Sequence, residues 1–285
     1  MSYGKTITTY LVDGSPTGIK TVELSNWIGK AIIIPRAKLK DVKNRQEVLQ
    51  PAIYFLFGKN EEGNDLAYIG EAENLINRIG NHDTNKDFWD LVIAFVSKDN
   101  NLTKADVKYL EAKAIEKAKK SNRYILQNGV EPIPNNLPEY QISTMNEFLD
   151  NIDLLISAIG YPILKEINIA KKQENNENLY YLKSRGSDGV GFYNEEGFIV
   201  LKGSKISPKE IIPYQKELGY IENNRERLVE NGIILNGIFT NDYLFKTPTS
   251  ACNIIAGGNQ NGWIEWKNKE GKTLDEMERK NLKIS

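Results

Sequence analysis

One cysteine and one histidine in 285 residues set the first limits. Cys252 has no partner for an internal disulfide, so a reducing compartment is its natural setting. With His82 as the only imidazole, no zinc site that needs two or more His or Cys ligands can be built. Any Ser-His-Asp or Cys-His enzyme would have to be assembled on that one ring. No apolar run approaches the roughly 18 residues of a membrane span, and the polar start MSYGKTITTYLVDG lacks the apolar core of a secretion signal. These absences point to a cytoplasmic protein. Net charge is almost absent too, with 37 basic residues against 38 acidic ones. Composition therefore neither requires nor forbids a nucleic-acid partner.

What is present fits a globular protein of about two domains, since 40% of the residues are hydrophobic and 26% charged. The charge is unevenly placed. Residues 1–50 are net basic, with Arg36, Lys38, Lys40, Lys43 and Arg45 clustered, whereas 131–179 are net acidic. Between Lys98 and Arg123 eight basic residues stand against four acidic ones, which offers a local basic face. The stretch Asn168 to Asn178, NIAKKQENNEN, is polar and free of aromatics, and the domain boundary is placed there. The expected organisation is a β-containing extension over 1–50, a compact region over 51–167, a linker over 168–178 and a second α+β unit over 179–285.

The compact region opens with the buried-strand pattern Ala52-Ile53-Tyr54-Phe55-Leu56-Phe57. Gly58 and Gly63 mark a hairpin turn, and Leu66-Ala67-Tyr68-Ile69-Gly70 returns as the partner strand. Asn74 is an N-cap for a helix through Leu75, Ile76 and Ile79. Phe88 to Val96 reads as a third strand. Thr103 and Asp106 form a capping pattern ahead of a second helix carrying Val107, Leu110, Ala114 and Ala118.

At 100° per residue that second helix places Glu111 in its own apolar stripe, next to Ala118 and about 40° from Val107, with Ala114 and Leu110 on the far side of Val107. A carboxylate facing a core is costly unless a cation or donors satisfy it. Glu111 is thus either a stripe-edge residue whose tip reaches water or a lysine, or a metal ligand or catalytic carboxylate. On the first helix Asn74, Arg78 and His82 follow at i+4 along one side, bordering the apolar face. Such a row is either a solvated polar face or a set converging on an anion.

The order AIY (Ala52-Ile53-Tyr54), 13 residues, YIG (Tyr68-Ile69-Gly70), then arginine ten positions beyond that tyrosine, resembles the GIY-YIG nuclease family. The resemblance covers about Pro51 to Gly129. It maps the family's helix arginine onto Arg78 and the histidine of its restriction-type members onto His82. The metal-binding glutamate falls on Glu111, and an asparagine near the domain end on Asn128. The first glycine of the name-giving triad is Ala52 here, a tolerable change unless that position needs positive φ.

The resemblance implies metal-assisted hydrolysis of DNA phosphodiester bonds. Glu111 would hold one Mg2+ or Mn2+, and Arg78 would clamp the scissile phosphate. Tyr54 is the family's candidate for activating water, with Tyr68 and His82 positioning it or relaying its proton; His82 as the base is the alternative. Lys104, Lys108 and Asn128 join Arg78 as nucleic-acid contacts.

In the C-terminal unit, residues from Tyr180 to Ser207 turn like a β-meander, a helix follows from about Pro208 through Arg227, and a strand is expected over Ile238 to Phe245. Thr247-Pro248-Thr249-Ser250 starts a short helix that Gly257-Gly258 ends. Strand alternation in Asn261-Gly262-Trp263-Ile264-Glu265-Trp266-Lys267 makes at least one tryptophan a core residue. The other, with Lys267, Lys202, Lys205 and Lys246, is available as a platform for bases. GFIVLKGS and the pair TPTSA and NGWIEWK resemble an uncharacterised module found after prokaryotic GIY-YIG domains, and the second pair also resembles the RAMA module of restriction-associated proteins.

The expected protein is a prokaryotic DNA endonuclease of α+β fold, acting in restriction, repair or defence, whose C-terminal module contacts the target or a protein partner. The alternative is a catalytically silent nucleic-acid- or protein-binding module that keeps the fold. A small-molecule enzyme is a third reading, for which no cofactor loop is visible.

Overall fold

The computed structural model describes residues 3–61, 63–129, 132, 135–166, 179–208 and 219–279. The chain divides into two units of mixed α and β structure, Met1–Glu166 and Ile167–Ser285. The expected linker, 168–178, lies outside the described residues.

The first unit contains strands β1 (Ile7–Leu11), β2 (Lys20–Leu24), β3 (Gly29–Pro35), β4 (Ala52–Lys59) and β5 (Asp65–Ala72). Helix α1 (Leu75–Asn85), strand β6 (Trp89–Ser97), helix α2 (Lys104–Ser121), strand β7 (Ile125–Leu126) and helix α3 (Glu139–Ala158) follow. The strands form one sheet in the order β1-β2-β3-β6-β4-β5-β7, antiparallel except for the β5–β7 pair. Every residue of β3 pairs with β6, so β1–β3 continue the sheet of the region that follows.

Strand β4 is the key to which residues can meet. Its first six residues are all buried, because both faces of this central strand are covered and no polar alternation is needed. Ile53, Phe55 and Phe57 enter a core with Val107, Leu110 and Ala114 of α2 and Phe148, Leu149 and Ile152 of α3. Ala52, Tyr54 and Leu56 enter the opposite core, with Leu75 and Ile79 of α1. Alternation thus assigns Tyr54 to the α1 face and leaves α2 on the other. Ala52 lies in this strand without positive φ, so the missing glycine costs no backbone strain.

The helix ends follow their caps. The Asn74 side chain accepts from the Asn77 amide at 3.2 Å, and Thr103 and Asp106 satisfy each other's backbone amides at the start of α2. Asp106 also accepts from the Gln141 side chain at 2.6 Å, which ties that end to α3. Helix α2 stops where Asn122 adopts the left-handed conformation.

The second unit comprises β8 (Tyr180–Leu182), β9 (Gly189–Asn194), β10 (Gly197–Val200), α4 (Gly219–Glu230), β11 (Ile234–Leu235), β12 (Ile238–Phe239) and β13 (Tyr243–Phe245). Helices α5 (Pro248–Ala256), α6 (Gly262–Glu265) and α7 (Leu274–Glu278) complete it. A sheet in the order β13-β10-β9-β8 and a small β11–β12 hairpin surround a core containing Phe198, Phe239, Ile255 and Trp266. Buried Arg225 donates to the Ile254 and Ile255 carbonyls at 2.7 and 3.0 Å, a cation seated at the end of α5.

Two expectations fail in this unit. The strand Ile238 to Phe245 is two strands in different sheets, because Thr240 turns back to donate to the Gly232 carbonyl and Asp242 accepts the Lys202 amide. Trp263 lies on a helical turn capped by Asn261, so strand alternation does not govern it. Of the expected helix from Pro208, the described part is α4, and 209–218 lie outside the described residues. Among the described residues no helix is long and apolar enough to cross a membrane.

Candidate active site

The site forms where β5 runs into α1. Tyr54 and Gly70 are register partners on β4 and β5, and a Cβ at Gly70 would collide with the Tyr54 ring and hydroxyl. The glycine of the YIG triplet is thus the space into which Tyr54 lies. Gly70→Ala should displace that ring and destabilise the fold by about 1–3 kcal/mol, read as a drop in melting temperature; an unchanged melting temperature would show that the ring relaxes freely.

Tyr54 is fully buried, and its hydroxyl lies 2.7 Å from His82 Nε2. The Tyr68 and His82 rings meet edge to face at 5.0 Å, and the Arg78 guanidinium interacts with both tyrosine hydroxyls. Burial holds the Tyr54 phenol well above its ordinary pKa, and the Tyr68 hydroxyl adds to this while Arg78 opposes it. His82 is pushed down to about 4, first by burial and then by the Arg78 and Lys86 cations. At neutral pH this pair is therefore a neutral phenol hydrogen-bonded to a neutral imidazole.

Glu111 reaches the same place from the other face of the sheet. Strand β7 pairs with β5 only at Leu66 and Ala67, so among the described residues the outer edge of β5 beyond Ala67 has no partner strand. The Asn128 side chain takes the place of one at Ile69, accepting from its amide at 3.1 Å and donating to its carbonyl at 2.7 Å. Around this edge half-buried Glu111 comes within electrostatic reach of Arg78 and Tyr54. Its carboxyl is raised to about 7 by burial and by the Glu71 carboxylate, against Arg78, the Glu71 backbone amide and Lys108.

Glu111 and Glu71 make a hard-oxygen donor set whose mutual repulsion a cation would relieve. Mg2+ characteristically takes one or two carboxylates and completes its shell with water and substrate phosphate. Among the described residues no cluster of three or more His, Cys, Asp or Glu ligands occurs, so this two-carboxylate kind of site is the one the residues fit. Glu71 was missed in the sequence, although β-alternation from Ile69 puts it on the α2 face beside Glu111.

The structure brings Tyr54, Tyr68, Arg78, His82 and Glu111 together, and the other expected contacts distribute differently. Lys108 lies near Glu111. Lys104 is tied to Glu73 at 2.7 Å, and both ends of the Asn128 amide are engaged with Ile69, which makes it a positioning residue. The basic face expected over Lys98 to Arg123 is largely neutralised, since Lys98 meets Glu23, Lys113 and Lys120 meet Glu116, and Lys117 meets Asp150 and Asp153. Trp263 and Lys267 belong to the second unit. Trp263 is half-buried, with the Arg279 guanidinium 3.4 Å over its ring and Tyr193 at its edge. Lys267 exchanges backbone hydrogen bonds with Tyr181 and leaves its side chain exposed. Trp266 is the fully buried tryptophan, donating to the Pro248 carbonyl at 3.1 Å.

Residues 180–278 match the family model of a domain of unknown function, DUF4357. The match begins at the first strand of the second unit and ends with α7. No characterised protein and no solved structure matches the chain.

Proposed function

We propose that this chain is a metal-dependent endonuclease of GIY-YIG type that hydrolyses DNA phosphodiester bonds. The observation that carries this reading is the convergence of Arg78, the Tyr54–His82 pair, Tyr68 and Glu111 around one open strand edge, from two helices on opposite faces of the sheet. These are the groups that hydrolysis of a phosphodiester requires: a planar cation for the phosphate, a proton acceptor and a carboxylate for a divalent ion.

Arg78 binds the phosphate, its charge held in place by the tyrosine hydroxyls. Tyr54 keeps its proton and orients the His82 ring. His82, neutral and 7% exposed where Tyr54 is fully buried, takes a proton from water. Tyr68, half-buried where Tyr54 is fully buried, helps to place that water. Glu111, with Glu71 beside it, would hold Mg2+ or Mn2+, which when bound supplies Lewis-acid stabilisation of charge at the phosphate and the leaving 3′ oxygen. The second unit serves target or partner contact, through Lys267 and the edge of Trp263.

Incubation of the purified protein with single- and double-stranded DNA tests the reading. Cleavage is expected with Mn2+ or Mg2+ and none with EDTA. Binding without cleavage under every metal condition would overturn it in favour of a catalytically silent binding module.

A further inference from the structure

The row that starts at Asn74 does not end at His82. Asn74, Arg78, His82 and Lys86 follow at four-residue intervals, so one side of α1 carries an arginine, the imidazole and a lysine in succession. Lys86 closes the helix: its backbone amide donates to the His82 carbonyl at 2.9 Å, after which the chain turns extended. Its ammonium stands over the Tyr68 ring, 4.5 Å from the centroid. Arg78 meets the same tyrosine at its hydroxyl. Two cations thus approach Tyr68 from successive positions of one helix face, with His82 between them.

Several lysines of this unit are matched to carboxylates. Lys30, Lys38, Lys59, Lys98, Lys104 and Lys117 each have one within 4 Å. Among the described residues Lys86 has no carboxylate partner, and its contact is the face of an aromatic ring. A cation–π contact of this kind is worth about 0.5–1 kcal/mol and leaves the full charge available to an anion. The charged groups facing His82 are both cations, Arg78 and Lys86. Among the described residues, then, this helix face sets two cations and no carboxylate toward the imidazole, which makes it a place for a polyanion.

Resting on the endonuclease reading, we infer that Lys86 is a second phosphate contact, binding the backbone phosphate that flanks the one held by Arg78 on the same strand. The positions of Arg78 and Lys86 are separated by roughly 12 Å along the helix at 1.5 Å per residue. Their heads meet different parts of the Tyr68 side chain, Arg78 at the hydroxyl and Lys86 over the ring face, so the two cations serve neighbouring groups. Tyr68 lies between them as the spacer that keeps the two heads apart. Lys86 thereby sets which phosphate of a bound strand enters the site.

Equilibrium binding in EDTA tests this without any need for cleavage. A short duplex and a single strand of the same sequence are titrated at several salt concentrations against wild type, Lys86→Gln and Lys86→Arg. Losing one phosphate contact lowers the slope of log K against log salt by roughly 0.9 for duplex or 0.7 for single strand. That loss is expected in Lys86→Gln, with the slope restored in Lys86→Arg. If Lys86 only caps the Tyr68 ring, Lys86→Gln lowers the melting temperature but keeps the wild-type slope, and the inference is overturned while the endonuclease reading stands. A wild-type protein with no salt-dependent binding to either probe would overturn both.

Discussion

Glu111→Gln removes metal-dependent cleavage, on the order of 10²–10³-fold or more, and at the same time stabilises the metal-free protein. Both effects come from one carboxyl held at about 7 by burial and by Glu71. Because the folded value lies above the ordinary one, the unfolded chain releases this proton first as pH rises. The metal-free fold therefore loses stability between pH about 4.5 and 7, and above 7 the loss is complete, ~1–2 kcal/mol once solvent screening of a half-buried group is allowed for. A neutral glutamine avoids that loss, so its melting temperature at pH 8 should exceed the wild-type value. Mn2+ or Mg2+ should raise the wild-type melting temperature and leave the variant unmoved. Below pH about 7 the wild-type metal affinity should strengthen about tenfold per pH unit, because binding displaces a proton, and it should level off above. Wild-type cleavage by Glu111→Gln, or equal metal shifts in both proteins, would make Glu111 a structural residue.

That carboxylate shows what the sequence could and could not convey. Its angular position within the α2 stripe is a matter of helical geometry, and the stripe is indeed buried at Val107, Leu110, Ala114 and Ala118. The hairpin of β4 and β5 and the caps at Asn74 and Thr103 were legible for the same reason, since each is fixed by residues a few positions apart. Strand β2 and helix α3 were not assigned. The five residues of β2 are too short a pattern to separate from a loop until β1 and β3 flank them. The outer edge of β5 was equally hidden. Nothing local says that Asn128 will replace a strand at Ile69, fifty-nine positions away. The same holds for the lysines between Lys98 and Arg123: they look like a basic face along the chain and meet carboxylates on α3 and β2 in space. In the second unit short-range turn chemistry at Asn261 outweighed an apparent strand around Trp263.

His82→Ala should slow cleavage about 10²–10⁴-fold, the range for a lost general base, and Tyr54→Phe only about tenfold. The order follows from burial. Tyr54 is inaccessible to water and its phenol is held above its ordinary pKa, so it has almost no phenolate to offer at neutral pH. Its hydroxyl instead fixes the His82 ring through the 2.7 Å bond, and losing one such bond costs about 1–1.5 kcal/mol, close to tenfold in rate. His82 is neutral down to pH about 4. At saturating metal kcat/KM should therefore hold through pH 6 and fall only as pH approaches 4 to 5, where the imidazole protonates; an acid limb near 6.5 would mean that the ring is not in this environment during turnover. Since the two side chains act as one unit, the double variant should be no slower than His82→Ala alone. A larger loss in Tyr54→Phe than in His82→Ala, measured in single turnovers, would move the base to Tyr54. It would also require the bound phosphate and Arg78 to bring the phenol down from where burial holds it.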